Sequence, residues 1–263
     1  MKTVVFIGYG AMAQTVHRLL PQGVRLGGVV VPSAAVAEIK NKLDTSVEVV
    51  SAIAELQLEP DLVVEMAGQA GLKEHAGAVL ERCWRLAVIS VGALADADLL
   101  DSLQRVAEQH QAQIQLLPGA VAGMDGLRAA RALGLEQVTY QGRKPPTGWK
   151  GSYAEQQVDL DTLTEATVFF TGTAREAAQL FPANANVAAT IGLAGIGMDA
   201  TQVQLIADPA VQRNTHTIYA KGDFGEMTVQ MKGIALADNP KTSTLAALSI
   251  VRAIEQINQV WVI

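Results

Sequence analysis

The 263-residue chain has one cysteine, Cys83, which rules out an intramolecular disulfide framework and a cysteine-rich zinc site. Aromatic residues supply only 5% and charged residues 17%, against 49% hydrophobic. A chain this long and this apolar can bury a core without a metal or disulfide staple. With a net charge of only -6, intrinsic disorder is excluded as well. There is no basic surplus: 20 Lys and Arg face 26 Asp and Glu, so a nucleic-acid partner is not expected. Mean hydropathy is +0.22, yet no apolar run approaches the roughly 18 residues a membrane span needs. The longest candidate, Val187 to Met198, is broken by glycines. The expectation is a soluble, cytoplasmic globular protein with no membrane partner and no metal. Lys2, an apolar run and Ala11-Met12-Ala13 imitate a short signal peptide. Two glycines interrupt that run, and cleavage there would remove the first strand.

Along the first half, short apolar runs alternate with helical periods. Strands are expected at Thr3 to Ile7, Leu26 to Val31, Val47 to Val50, Asp61 to Met66, Leu86 to Val91 and Gln113 to Leu117. Helices are expected at Ala11 to Leu20, Ala34 to Leu43, Leu72 to Cys83 and Asp96 to Gln111. Continuous apolar strands separated by helices mean a parallel sheet covered on both faces, hence a doubly wound α/β (Rossmann) domain over 1-120.

After Pro118 the pattern changes. A helix is expected at Ala122 to Ala132, and strands at Gln137 to Arg143, Ala166 to Thr171, Gln202 to Ala207, Thr215 to Ala220 and Glu226 to Lys232. Gly222-Asp223-Phe224-Gly225 reads as a hairpin loop. Strands with few crossovers suit a mainly antiparallel sheet with helices on one face, an α+β domain over 121-240. Ser243 to Gln259 reads as a helix, and 241-263 is expected to return to the first domain.

Gly8-Tyr9-Gly10-Ala11-Met12-Ala13 leaves a strand and opens a helix. In such a turn the first glycine allows the tight bend and the second lets backbone approach a pyrophosphate. The N–H groups and dipole of the helix that follows hold the anion. Gly8, Gly10, Ala11 and Met12 are therefore expected to hold a dinucleotide. An acidic residue about 20 positions later would favour NAD. Here the second strand ends at Val31-Pro32-Ser33 without a carboxylate, and Ser33 could donate to a 2′-phosphate. The expected cofactor is NADP, NAD or both.

Seven blocks taken together resemble the L-aspartate dehydrogenase family. They are the glycine turn, Leu62-Val63-Val64-Glu65-Met66-Ala67, Pro118 to Asp125, Arg143-Lys144-Pro145-Pro146, Phe181 to Ala189, Asn214-Thr215-His216 and Asn239-Pro240-Lys241-Thr242-Ser243. The resemblance implies NAD(P)-dependent, reversible oxidation of L-aspartate to iminoaspartate, which hydrolyses to oxaloacetate and ammonia or feeds NAD biosynthesis. It also implies a homodimer, His216 as the catalytic histidine, and cofactor contacts at Ala120 and Asn186.

The chemistry of the residues agrees with that placement. Hydride can leave Cα only from a neutral amine, because an ammonium nitrogen has no lone pair to form the C=N bond. Histidine suits the removal of that proton near neutral pH. A dicarboxylate also needs cationic or N–H partners, for which Lys144, Lys241 and Thr242 are candidates. Simpler roles are open at several positions. Asn184 or Asn186 could cap a helix, as could Thr242 or Ser243. Lys144 could be solvated, Cys83 reads as a small buried hydrophobe, and His17 and His110 as surface residues. His75 is expected to open a helix. Two other readings keep the domain plan: a homoserine dehydrogenase-like or dihydrodipicolinate reductase-like enzyme, and a non-catalytic NAD(P)H sensor.

Overall fold

In the first half of the chain, side chains that cannot face water on either side of a strand force a sheet covered on both faces. The computed structural model describes residues 1–182, 186–236 and 239–262, with the backbone alone for 239–241. It divides into two compact units, Met1–Gly119 with Ala246–Ile263, and Ala120–Leu245.

The first unit is built from β1 (Lys2–Ile7), α1 (Ala11–Arg18), β2 (Val24–Val30), α2 (Ser33–Lys40), β3 (Glu48–Val50), β4 (Leu62–Glu65), α3 (Gly68–Glu81), β5 (Leu86–Val88), α4 (Ala97–Gln109) and β6 (Ile114–Leu116). Its six strands are ordered β3-β2-β1-β4-β5-β6 and all pair in parallel. Val4, Val5, Phe6, Leu62, Val63 and Val64 are completely buried, which is why these strands read as unbroken apolar runs. Chain order reverses between β1 and β4, and a doubly wound sheet binds ligands beyond its strand ends at such a switch point.

The second unit contains α5 (Met124–Ala130), β7 (Leu135–Lys144), β8 (Thr167–Thr173), α6 (Ala174–Leu180), α7 (Asn186–Ala194), β9 (Gln202–Ala207), β10 (Thr215–Gly222), β11 (Gly225–Lys232), β12 (Ala235–Leu236) and β13 (Asn239–Ser243). Its five-stranded sheet runs β11-β10-β7-β9-β8. Three of its pairings are antiparallel, but central β7 and β9 run parallel, so the sheet is mixed. Along β10, His216, Ile218 and Ala220 are buried, while Thr217 and Tyr219 on the other face are half-buried. Helix α8 (Thr244–Gln256) leads into the segment that belongs to the first unit, where Gln115 Nε2 donates to Gln256 Oε1 at 3.4 Å.

Some local expectations are overturned. Cys83 is exposed and left-handed (φ 61°), because it turns the chain out of α3 rather than filling a core. His75 lies inside α3, which begins seven residues earlier at Gly68. His17 is half-buried, with its Nδ1 2.6 Å from the Tyr9 hydroxyl. His110, also half-buried, terminates α4. Helix α6 was not anticipated. Ser243 does not cap α8: it ends β13, and its buried Oγ has no hydrogen-bond partner among the described residues.

Candidate active site

The first unit has a candidate cofactor site made of backbone. Gly8 follows β1 at φ +89°, and a Cβ there would lie 2.9 Å from both Ala67 Cα and Met66 O. Only glycine fits that turn against the segment leaving β4. A Cβ at Gly10 would meet nothing within 4 Å, so the turn presents open space where a pyrophosphate must approach. Gly10 is the N-cap of α1 and no side chain caps it; Ala11 and Met12 open the helix, whose first turn carries no acid. These features fit the phosphates of a nicotinamide dinucleotide. Ser33 opens α2, exposed, after Pro32, again with no acid in the first turn.

The second unit has a candidate site of its own, made of side chains. His216, 6% exposed, stands on β10 opposite Gly142 of β7. Directly paired residues share a face, and so do residues two apart, so Tyr140 and Lys144 flank His216 on the neighbouring strand. The Tyr140 hydroxyl lies 2.8 Å from His216 Nδ1. Gly142 makes that bond possible, since a Cβ there would sit 2.8 Å from Tyr140 Oη. With Nδ1 engaged, Nε2 is the ring nitrogen left for a substrate.

Burial and the nearby Lys144 charge push the His216 pKa down to about 4, so the ring is neutral at neutral and alkaline pH. Burial lowers Lys144 to about 8, so its charge is labile in the alkaline range. Its Nζ lies 4.5 Å from the centre of the Trp149 ring, a cation–π geometry. Trp149 is fixed by its Nε1 donating to Ile206 O at 3.0 Å and by edge contacts with Phe169 and Phe181. Burial raises Tyr140, which stays a phenol and can hydrogen-bond either tautomer of His216.

Of the remaining expected residues, Ala120 is a half-buried turn residue and Asn186 is the exposed first residue of α7. Thr242 is half-buried on β13. Asn184 and the Lys241 side chain lie outside the described residues. Tyr140 was not singled out in the sequence, where its inward position reads as core. Among the described residues, no group of three His, Cys, Asp or Glu could hold a metal ion, and no helix is long and apolar enough to cross a membrane.

The first unit's glycine turn at the switch point of a parallel sheet marks a dinucleotide-binding domain, and the second unit holds a buried neutral imidazole beside a lysine. Residues 8–117 match the homoserine dehydrogenase NAD-binding domain family, and residues 125–257 match the aspartate dehydrogenase C-terminal family. The chain is 54% identical over 253 residues to an L-aspartate dehydrogenase of Acinetobacter baumannii, covering 96% of each. It is 52% identical over 260 residues to that of Psychrobacter cryohalolentis, covering 99% of each. Its fold resembles the crystal structure of aspartate dehydrogenase from Thermotoga maritima, with TM-score 0.77, 24% identity, and 100% and 99% of the two chains covered. The chain belongs to the aspartate dehydrogenase family. It is an oxidoreductase with an NAD(P) cofactor.

Proposed function

We propose that the chain oxidises L-aspartate at Cα with NAD(P) as hydride acceptor, reversibly, giving iminoaspartate and then oxaloacetate and ammonia, with His216 as the acid–base residue. The observation that carries the assignment of His216 is its geometry: a buried neutral imidazole, Nδ1 held by Tyr140, beside a lysine. The dinucleotide supplies the hydride acceptor. Gly8, Gly10, Ala11 and Met12 would hold its phosphates, Ser33 its adenosine ribose end, and Ala120 and Asn186 its nicotinamide end. When Tyr140 accepts from Nδ1–H, the Nε2 lone pair can take the proton that must leave the substrate ammonium. In reverse, Nε2–H returns that proton to the substrate nitrogen once hydride has added to Cα of the imine. Lys144 stays charged below about pH 8 and would pair with a substrate carboxylate; Lys241 and Thr242 are further carboxylate partners.

A homodimer in the cytoplasm, with iminoaspartate feeding NAD biosynthesis, completes this reading, supported by the family resemblance. The test is the growth of reduced-nicotinamide absorbance when purified protein meets L-aspartate at alkaline pH, with NAD and NADP in separate runs. Turnover with aspartate and none with homoserine or glutamate is expected. Because no carboxylate follows Val31, NADP is expected to be accepted. A kcat/KM at least a hundredfold better with NAD would overturn that part alone.

A further inference from the structure

Glu65 is completely buried at the C-terminal end of β4, the first strand beyond the switch point. It belongs to the Leu62-to-Ala67 block, and the chemistry above gives it no task. Its carboxylate gathers donors from two loops. Oε1 accepts from Ala67 N at 2.8 Å and from Ser90 Oγ at 2.8 Å, and Oε2 accepts from Ser90 N at 3.0 Å. Gly68 N donates to it as well. Ala67 and Gly68 are the N-cap and first residue of α3, and Ala67 has no side-chain group to cap it; Ser90 follows β5. One carboxylate thus closes the turn after β4 and ties it to the segment after β5.

Those two segments sit at strand ends in the β4–β6 half of the sheet. In a doubly wound fold with this strand order, each half binds one mononucleotide, and the half opened by β1 carries the phosphate turn. By that rule the β4–β6 half would take the nicotinamide mononucleotide. A Cβ on Gly68, in the left-handed region at φ +82°, would meet nothing within 4 Å, so the loop that Glu65 holds faces open space. We infer that Glu65 is a positioning residue that holds the loops after β4 and β5 in the shape that receives the nicotinamide half of the cofactor.

Glutamine cannot replace it. An amide puts N–H hydrogens where one oxygen now accepts, so they would oppose the N–H donor of Ser90 or that of Ala67. Burial lifts the Glu65 carboxyl above its ordinary range, and the hydrogen bonds from Ser90, Ala67 and Gly68 hold back part of that rise.

The test is a pair of dissociation constants measured by titration calorimetry on folded protein. One ligand is the reduced dinucleotide, the other ADP, which reaches only the adenosine half and the phosphate turn. In Glu65→Gln the Kd of the reduced dinucleotide is expected to rise about tenfold or more, while that of ADP stays within twofold. Equal weakening of both ligands would mean a general structural role and overturn the inference, as would an unchanged Kd for the dinucleotide. If Glu65→Gln does not fold, Ser90→Ala removes one side-chain donor and is expected to show the same split at about threefold. Equal effects on both ligands in that variant, or none, would overturn it equally.

Discussion

The two sheets of this protein present their candidate sites differently. In the first unit, every strand of the sheet is parallel, and the features that fit a dinucleotide are main chain: a turn only glycine can make and a helix start with no side-chain cap. In the second, a mixed sheet has one buried face, and the candidate site is made of the side chains His216, Tyr140 and Lys144, set side by side by strand register. A backbone site of this kind depends on a missing Cβ, as at Gly8. A side-chain site depends on register, because a one-residue slip would turn His216 to the opposite face.

That contrast can be broken or sharpened experimentally. The largest effect is expected from His216→Ala. Turnover should fall about 10²–10⁴-fold, the range for a lost acid–base group, while the Kd for reduced cofactor stays within twofold. Turnover close to wild type would remove His216 from the chemistry. Gly8→Ala should do the reverse. Cofactor Kd is expected to rise about tenfold, and the strained turn to cost about 1–3 kcal/mol of stability in denaturant titrations. An unchanged Kd would mean that the turn does not meet the phosphates.

The smallest effect concerns pH. The folded pKa of His216 is about 4, against about 6.5 in an unfolded chain. Between those values the unfolded state binds the extra proton, so stability is fully present above pH 6.5 and is lost as pH falls toward 4. Chemical denaturation across that window should show a slope that His216→Gln flattens. An identical slope in the variant would assign the acid sensitivity to other groups.

How much of this was legible in the sequence follows from the same contrast. The strands of the first sheet announce themselves because both faces are buried, and the glycine turn because its residue types are dictated sterically. The second unit is less readable. A parallel pairing between β7 and β9 leaves no local mark, since each strand alternates in the same way whichever direction its neighbour runs. Tyr140 occupies an ordinary core position, and only the register that puts Gly142 opposite His216 shows what its hydroxyl does. Helix α6 did carry a signal: Thr173 and Glu176 form a reciprocal capping box, spaced as T-x-x-E in the sequence. Cys83 carried none, because no glycine or asparagine marks the left-handed turn it makes. Glu65 was visible as an acid closing an otherwise apolar strand, but its four donors are scattered over two loops.

The stacking of Lys144 on Trp149 also gives the molecule an optical handle. The chain has three tryptophans: Trp149 is buried under the lysine, Trp84 is buried in the first unit, and Trp261 is 85% exposed. A cation held 4.5 Å from the indole centre perturbs its excited state, and drawing the ammonium toward a carboxylate, or deprotonating it, removes that perturbation. Emission from Trp149 would therefore report where the lysine charge is, and if Lys144 pairs with a substrate carboxylate as proposed, a fluorimeter would follow dicarboxylate binding without turnover or a label.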